Sequence, residues 1–429
     1  MSHDRKQFLI QLGSGLVIAG LPGLASANDN TALMTDRNDF AGDGAADDEK
    51  FWKHVGKKYY EVADDYINLE NGYYGIQPKP VLQAFQKNIV KANSQAARFA
   101  RKDFPGIAAS VKKELAAFLG VMDEEIIITR NATEALNIAI QGYPFRQGDE
   151  VLLNQLDYFS MIEAFRMLEK RGKINVNAFE MPLLPAGDDE IVEQYRKMIS
   201  PQTKVILLTH VSNINGLIVP VAKIAAMAKE KGIDTITDSA HALGQVPFSL
   251  AGLGSDFVGL NLHKWIGNPV GAGVLYIRKE RIKEMSPLFG DTNSGENSIE
   301  KLAHFGTTPF AVIMTIPESL AFHKMLGVER ISRRLHYLKS CWLTELIKHP
   351  GVEVVTPADK NLSCAIASFR VKNRTAADVA DYLFKQHRIL TVSRSLGKTG
   401  CVRVTPSVYN SAEEIQKLVA AVKLYAGAV

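Results

Sequence analysis

The chain has 429 residues, which at about 150 residues per domain allows two or three domains or one large α/β unit. Hydrophobic residues make up 46% of the chain and charged residues 22%, so it can bury a sizeable core and is not globally disordered. The formal net charge is only +4, without a dense stripe of Lys and Arg, which argues against nucleic-acid binding.

Residues 1–27 contain the three parts of a signal peptide in order. Arg5-Lys6 supplies positive charge, an apolar stretch runs from Leu12 to Leu24, and Ala25-Ser26-Ala27 fits a signal peptidase. The Arg5-Lys6 pair is similar to a twin-arginine signal with lysine in the second position; a Sec signal is the alternative. We expect a periplasmic protein with no membrane anchor after cleavage, or a cytoplasmic one if the signal is not used.

The composition also predicts how the rest of the chain is divided. Residues 28–50 hold seven acidic and two basic residues and few apolar ones, which predicts an acidic linker. We expect a large domain at 91–315 and a small α+β domain at 316–429, joined by an N-terminal segment at 51–90. No later apolar run reaches the roughly 18 residues of a membrane-spanning helix.

The large domain alternates short apolar runs with stretches of helical periodicity. The predicted strands are Ile126–Arg130, Val151–Asn154, Asn175–Glu180, Val205–Thr209, Ile233–Thr237, Phe257–Leu260 and Val274–Ile277. This alternation predicts an α/β fold with a seven-stranded, mostly parallel sheet covered by helices. Ligands bind beyond the carboxyl ends of the strands in such sheets, so the polar residues that follow each strand are candidates for a site.

Several polar groups stand at these strand ends. Asn131-Ala132-Thr133 opens a helix and offers backbone N–H groups and a hydroxyl to a phosphate, although an ordinary N-cap would look the same. Asn213 and Asp238 follow two neighbouring strands, and a carboxylate there is often only a helix cap. Lys264, between apolar runs, is predicted to be semi-buried, and a desolvated lysine can serve as a Schiff-base amine.

These groups together predict pyridoxal 5'-phosphate (PLP) as the cofactor. PLP needs a lysine, a carboxylate facing its pyridine nitrogen, a cup for its phosphate and a group stacked on its ring. The chain offers a candidate for each role on one sheet. The three cysteines, Cys341, Cys364 and Cys401, have no metal-ligand spacing, and we expect no bound metal.

The spacing of Asp238-x-Ala240-His241 and His263-Lys264 resembles that of the class V aminotransferases, which have PLP fold type I. The resemblance covers about residues 65–425. It implies that Lys264 is the Schiff-base lysine and proton carrier and that Asp238 is the partner of the pyridine nitrogen. His263-Lys264-Trp265 and Asn71-Gly72 most resemble the isopenicillin N epimerase-like subgroup.

The resemblance also implies the remaining site residues. His241 and Asn213 match positions near the phenolic oxygen of the cofactor, and Tyr158 stands where relatives place a ring-stacking residue. The phosphate ligands implied are Thr133 and His263, while Asn261 stands where the family often has serine and Ala132 belongs to the cofactor-binding helix start. Gly306 and Thr307 would reach the phosphate of a neighbouring subunit, which implies a homodimer. Arg403 would clamp a substrate carboxylate, and Asn71 and Gly72 belong to a segment that folds over the mouth of the site.

The reaction follows less directly from the sequence. We expect an exported enzyme that transforms the amino group of an amino acid or an amino-acid-containing metabolite such as a siderophore, with transamination favoured. Epimerisation shares its early steps and stays open, as do a lyase reaction and a binding protein that has lost catalysis. A cysteine desulfurase is disfavoured because Val392–Gly400, shortly before Arg403, contains no cysteine.

Overall fold

A computed structural model describes residues 44–290 and 294–427. The predicted signal peptide, at 1–27, lies outside these residues. No helix in the described ranges is both long enough and apolar enough to span a bilayer.

The described residues form two sheets of four or more strands, one short strand pair, and helices that cover them. The strands are β1 (Ile67–Asn68), β2 (Ile126–Thr129), β3 (Glu150–Asn154), β4 (Asn175–Phe179), β5 (Thr203–Thr209), β6 (Asp234–Asp238), β7 (Phe257–Asn261), β8 (Gly273–Ile277), β9 (Val352–Val354), β10 (Ala367–Val371), β11 (Ile389–Leu390), β12 (Val392–Arg394) and β13 (Cys401–Val404). The α-helices are α1 (Glu49–Tyr59), α2 (Lys79–Arg98), α3 (Phe104–Leu119), α4 (Ala132–Gly142), α5 (Phe159–Lys170), α6 (Asp188–Met198), α7 (Val221–Glu230), α8 (Lys279–Ile282), α9 (Phe310–Met314), α10 (Ile316–Leu326), α11 (Val328–Leu346), α12 (Ala376–His387) and α13 (Ala412–Gly427).

The large sheet has seven strands in the order β2-β8-β7-β6-β5-β3-β4. Strands β3 to β7 pair in parallel, and β8 runs antiparallel to both β7 and β2. Every residue of β7 and β8 is buried, and apolar clusters fill both faces of the sheet. The predicted α/β fold with a mostly parallel seven-stranded sheet is therefore confirmed, and its strand bounds are close to those predicted.

The C-terminal region contains an antiparallel sheet in the order β12-β13-β10-β9. The sequence did not predict β11 or β12, which have only two and three residues, too few for an alternating pattern to stand out. The N-terminal segment contributes β1, which pairs in parallel with β11. That pairing brings the residues after β1 to the same edge as β12 and β13.

The acidic stretch predicted as a linker ends inside a helix. Helix α1 begins at Glu49 because the Asp48 side chain accepts a hydrogen bond from the Phe51 amide at 3.0 Å. Arg334, fully buried in α11, donates to the Ala46 carbonyl and pairs with Glu49. Residues 44–50 are therefore packed against the C-terminal region.

Candidate active site

A cleft of about 940 Å³ lies at the carboxyl ends of β5, β6 and β7, beside the N-terminus of α4. Parallel strands bring their carboxyl ends to one edge, which explains why residues far apart in the chain meet there. Eleven of the residues predicted for the site line this cleft: Gly72, Ala132, Thr133, Tyr158, Asn213, Asp238, His241, Asn261, His263, Lys264 and Thr307.

Lys264 follows β7, and its amine lies inside the cleft. Its Nζ is 2.9 Å from His241 Nε2. Burial lowers the pKa of Lys264 to about 7; the Asp238 carboxylate opposes this shift, and the guanidinium groups of Arg403 and Arg394 add to it. A lysine with this pKa is partly neutral at neutral pH and can act as a nucleophile and a base.

Asp238 is the last residue of β6 and is only 4% exposed. One of its carboxylate oxygens accepts a hydrogen bond from the Ala240 amide at 2.9 Å. Burial raises its pKa, and the nearby Lys264 ammonium acts in the opposite direction. A buried carboxylate of this kind is stable in its ionised form when a cation faces it, as a protonated pyridine nitrogen would.

Two histidines beside the lysine are held neutral. Burial and the Lys264 charge lower the pKa of His241 well below its usual value and that of His263 to about 4. His241 Nδ1 is buried and has no hydrogen-bond partner among the described residues. An unpartnered imidazole nitrogen in a polar cleft is a position that a bound ligand can satisfy.

The N-terminus of α4 forms part of the wall of the cleft. Asn131 caps the helix by accepting a hydrogen bond from the Glu134 amide at 2.9 Å. The side-chain oxygen of Asn261 accepts one from the Ala132 amide at 2.8 Å, so this residue positions the helix start. Thr133 lines the cleft between these two anchored amides. With those two amides occupied, this end of the cleft offers a phosphate the Thr133 hydroxyl and the positive end of the helix dipole.

Three predicted residues do not line the cleft. Asn71 is 2% exposed, and its side chain is bonded to Tyr409 and to the Thr405 carbonyl. The side chain of Arg403 is fully buried and paired with Glu70. Gly306 does not belong to the cleft wall, although Thr307 beside it does. The roles assigned to these residues by resemblance stay predictions.

The cleft also contains residues that the sequence did not single out. Arg394, at the end of β12, lines it, as do Tyr73 and Tyr74. Tyr73 and Tyr74 are 71% and 52% exposed. These two tyrosines directly follow Gly72 in the segment expected to cover the mouth of the cleft, and that position could have indicated that they belong to the site. Among the described residues, no cluster of three or more His, Cys, Asp or Glu side chains is arranged to hold a metal ion.

The residues present fit PLP. Lys264 supplies the amine that PLP needs, and Asp238 supplies the buried carboxylate. The N-terminus of α4 supplies a position for the phosphate. His241 Nδ1 has no hydrogen-bond partner among the described residues and can bond to a ligand. The fold and this site define a PLP-dependent enzyme of fold type I. The family model for aminotransferase class-V matches residues 75–418, and the chain belongs to this family. The prediction of PLP as the cofactor is thereby confirmed at the level of the family.

Known proteins are similar to this chain over most of its length. Isopenicillin N epimerase of Amycolatopsis lactamdurans is 27% identical over 377 residues, which cover 83% of this chain and 94% of the relative. A probable cysteine desulfurase of Mycobacterium leprae is 25% identical, over 82% of this chain and 90% of the relative. A solved C-DES mutant with glycine covalently linked to its PLP cofactor has a TM-score of 0.74 and 21% identity, covering 84% of this chain and 97% of that one. The predicted likeness to the epimerase subgroup is confirmed.

Proposed function

We propose that this protein is an exported PLP-dependent aminotransferase that acts on an amino acid or on an amino-acid-containing metabolite such as a siderophore. One observation carries the proposal. The Lys264 amine, with a pKa of about 7, stands in an open cleft with a buried carboxylate and a helix N-terminus. Bound PLP stabilises negative charge on a carbon that has lost a proton.

Each side chain then has a definite task. Lys264 takes the proton from the carbon that bears the amino group and holds it at Nζ. Asp238 keeps a negative charge beneath the cleft, where it favours a protonated ring nitrogen. His241 holds Nζ at 2.9 Å, so the amine is oriented before the proton moves. Tyr158 lines the cleft and would stack against the cofactor ring, as the family resemblance implies.

An epimerase is the second candidate, and two observations favour it. The relatives include isopenicillin N epimerase, matched over 83% of this chain. Epimerisation also gains from a second acid that can return the proton to the opposite face, and Tyr73 and Tyr74 bring two phenols to the cleft. Tyr74 or Tyr73 in that role would convert proton removal by Lys264 into inversion at the carbon.

A cysteine desulfurase needs a thiolate at the substrate, and the cysteines do not supply one. All three lie in the described part of the chain, and none lines the cleft. Cys401 and Cys364 are buried, and burial raises the pKa of both thiols, that of Cys364 to about 11. Both thiols therefore stay protonated and unreactive at neutral pH.

The deciding experiment incubates the holoenzyme with amino donors in D₂O. Loss of the Cα proton together with formation of a keto product supports the aminotransferase. Deuterium incorporation with inversion and without keto product identifies the epimerase instead. No exchange at Cα with any donor would leave a binding protein as the remaining interpretation.

Location and assembly complete the proposal. The Arg5-Lys6 segment supports export to the periplasm. A homodimer is supported by exposed apolar side chains around the mouth of the cleft, Tyr73, Phe159 and Val270, at 71%, 65% and 59% exposure. Sedimentation analysis of the holoenzyme tests the dimer, and a monomer at all concentrations would contradict it.

A further inference from the structure

The guanidinium of Arg403 lies directly behind the surface of the cleft. Its Nη1 donates to the Asn213 carbonyl at 2.9 Å, and an added Cβ on Gly72 would lie 3.0 Å from its Nη2. Asn213 and Gly72 both line the cleft, whereas the side chain of Arg403 has no exposed surface. Only the immediate neighbours of this guanidinium therefore separate it from the cleft.

Arg403 has an incomplete set of hydrogen bonds. Its Nη2 donates to Glu70 Oε1, and the two side chains form an ion pair. Its Nε is buried and has no hydrogen-bond partner among the described residues. Nε and Nη2 lie on one edge of the guanidinium, and a carboxylate can accept from both donors of such an edge. A carboxylate that bridged both donors would therefore be a better partner than Glu70.

The carboxylate of Glu70 is loosely held at its other oxygen. Its Oε2 is 3.3 Å from the Thr405 hydroxyl, which lies closer, at 3.1 Å, to the Leu69 carbonyl and has only one proton to donate. The backbone on either side is fixed, because the Leu69 carbonyl and the Asn71 amide bond to the backbone of Thr405 at 2.8 and 3.1 Å. The Glu70 side chain can therefore turn while the segment that carries it stays in place.

A second guanidinium lies beside Glu70. Arg394 Nη2 is 3.8 Å from Glu70 Oε1, which makes an ion pair but not a hydrogen bond. Like Arg403 Nε, Arg394 Nε is buried and has no hydrogen-bond partner within the described ranges. Glu70 thus forms ion pairs with two guanidinium groups, and the positive charge left over favours an incoming carboxylate.

We propose that Glu70 is an internal competitor of the substrate: it occupies Arg403 in the free enzyme, and the carboxylate of the substrate displaces it toward Arg394. The exchange leaves each guanidinium with one carboxylate. An amine without a carboxylate cannot displace Glu70, so the exchange selects amino acids over simple amines. This inference rests on the proposed function, because it concerns the substrate of the same cleft.

The test measures by calorimetry how tightly the holoenzyme binds propionate, which has a carboxylate but no amino group. Glu70→Gln should bind propionate about ten- to a hundredfold more tightly than the wild type, because a charged hydrogen bond no longer has to be broken. Glu61→Gln removes the same charge at an exposed position of the same segment and should leave the affinity unchanged. Unchanged or weaker binding in Glu70→Gln, or no binding by any of these proteins, would overturn the proposal.

Glu70→Asp separates competition from the effect of charge alone, and it serves as the test if Glu70→Gln does not fold. The variant keeps the charge, but its side chain is one methylene shorter and the fixed backbone cannot follow it toward Arg403. Propionate binding should again be tighter than in the wild type, by about three- to tenfold. Wild-type affinity in Glu70→Asp would reduce the role of Glu70 to its charge and would contradict the competition.

Arg403→Gln identifies the group for which Glu70 competes. This variant should bind propionate at least about tenfold more weakly than the wild type, because the charged donors are lost. Adding Glu70→Gln to it should bring no further gain. If Glu70→Gln still tightened propionate binding by the full factor in this background, Glu70 would not compete for Arg403 and the proposal would fall.

Failure of this proposal is distinguishable from failure of the proposed function. If propionate binding responds to Glu70 as expected but the wild-type holoenzyme exchanges no Cα proton, the activity is wrong and the competition stands. If the enzyme exchanges the proton but propionate binding ignores the changes at Glu70, the activity stands and the role of Glu70 as a competitor falls.

Discussion

Lys264 Nζ lies 2.9 Å from His241 Nε2, and both groups have a lowered pKa. Two protonated nitrogens at this distance would repel each other strongly, because both groups are buried. The contact is therefore compatible with one shared proton at most. This contact favours a neutral imidazole at His241 and a Lys264 amine that can act as a nucleophile or a base.

The first prediction is that Lys264 of the apoprotein titrates near pH 7. Reductive methylation followed by mass spectrometry should give a labelling midpoint at about pH 7 for this lysine. Exposed lysines should label with a midpoint near the ordinary value of roughly 10.4. A midpoint for Lys264 that coincides with theirs would contradict the effect of burial.

The same shift predicts how the stability of the apoprotein depends on pH. Between about pH 7 and 10 the unfolded chain holds a proton at Lys264 that the folded chain lacks. The free energy of unfolding should therefore rise with pH across this window. Lys264→Met should reduce the slope, which urea titrations at pH 7 and pH 9.5 can measure.

Asp238→Asn should slow exchange of the Cα proton by about a hundred- to a thousandfold, comparable to losing a preorganised electrostatic contact. The amide keeps the size of the side chain but removes the negative charge beneath the cleft. The visible absorption of the holoenzyme should shift in the same variant. Rates measured by deuterium wash-in test the first effect.

Asp256→Asn is the matched control. Asp256 is also a buried carboxylate, and it accepts a hydrogen bond from the Thr235 amide at 2.8 Å, at the end of β6 opposite Asp238. This change should lower stability without changing the exchange rate. Equal rate losses in the two variants would make Asp238 a structural residue.

The sequence predicted the residues at the strand ends because their placement depends on order along the chain. Once β6 and β7 are recognised as parallel neighbours, Asp238 and Lys264 must come to the same edge of the sheet. The helix start at Asn131-Ala132-Thr133 follows in the same way. Local patterns and one rule of topology were sufficient for this part of the site.

The ion pair between Glu70 and Arg403 could not be predicted in this way. Its arrangement depends on the parallel pairing of β1 with β11, which brings together residues more than 300 positions apart through strands of two residues each. Nothing in the local sequence indicates that Glu70 will meet Arg403. The sequence therefore showed that an arginine was available but not that its charge was already neutralised.

The targeting prediction concerns Arg5-Lys6. PLP is made in the cytoplasm, and a protein that folded around its cofactor there would have to be exported in folded form, which the twin-arginine route allows. Changing Arg5-Lys6 to Lys-Lys should leave an active, uncleaved precursor in the cytoplasm. Cell fractionation and N-terminal mass analysis measure this. Normal export of the variant would instead indicate the Sec route.

The last prediction concerns Gly75, which packs against the loop that carries the lysine. Its amide donates to the His263 carbonyl at 3.0 Å, and an added Cβ would lie 2.4 Å from the Lys264 carbonyl oxygen. Gly75→Ala must therefore displace the backbone at Lys264, with an expected loss of about 1–3 kcal/mol in stability and a slower exchange of the Cα proton.

Gly106→Ala is the matched control, because nothing lies within 4 Å of a Cβ there and the position is helical. It should leave the exchange rate unchanged and alter stability by no more than about 1 kcal/mol. Wild-type exchange in Gly75→Ala would show that the loop can move without displacing the amine from its contact with His241.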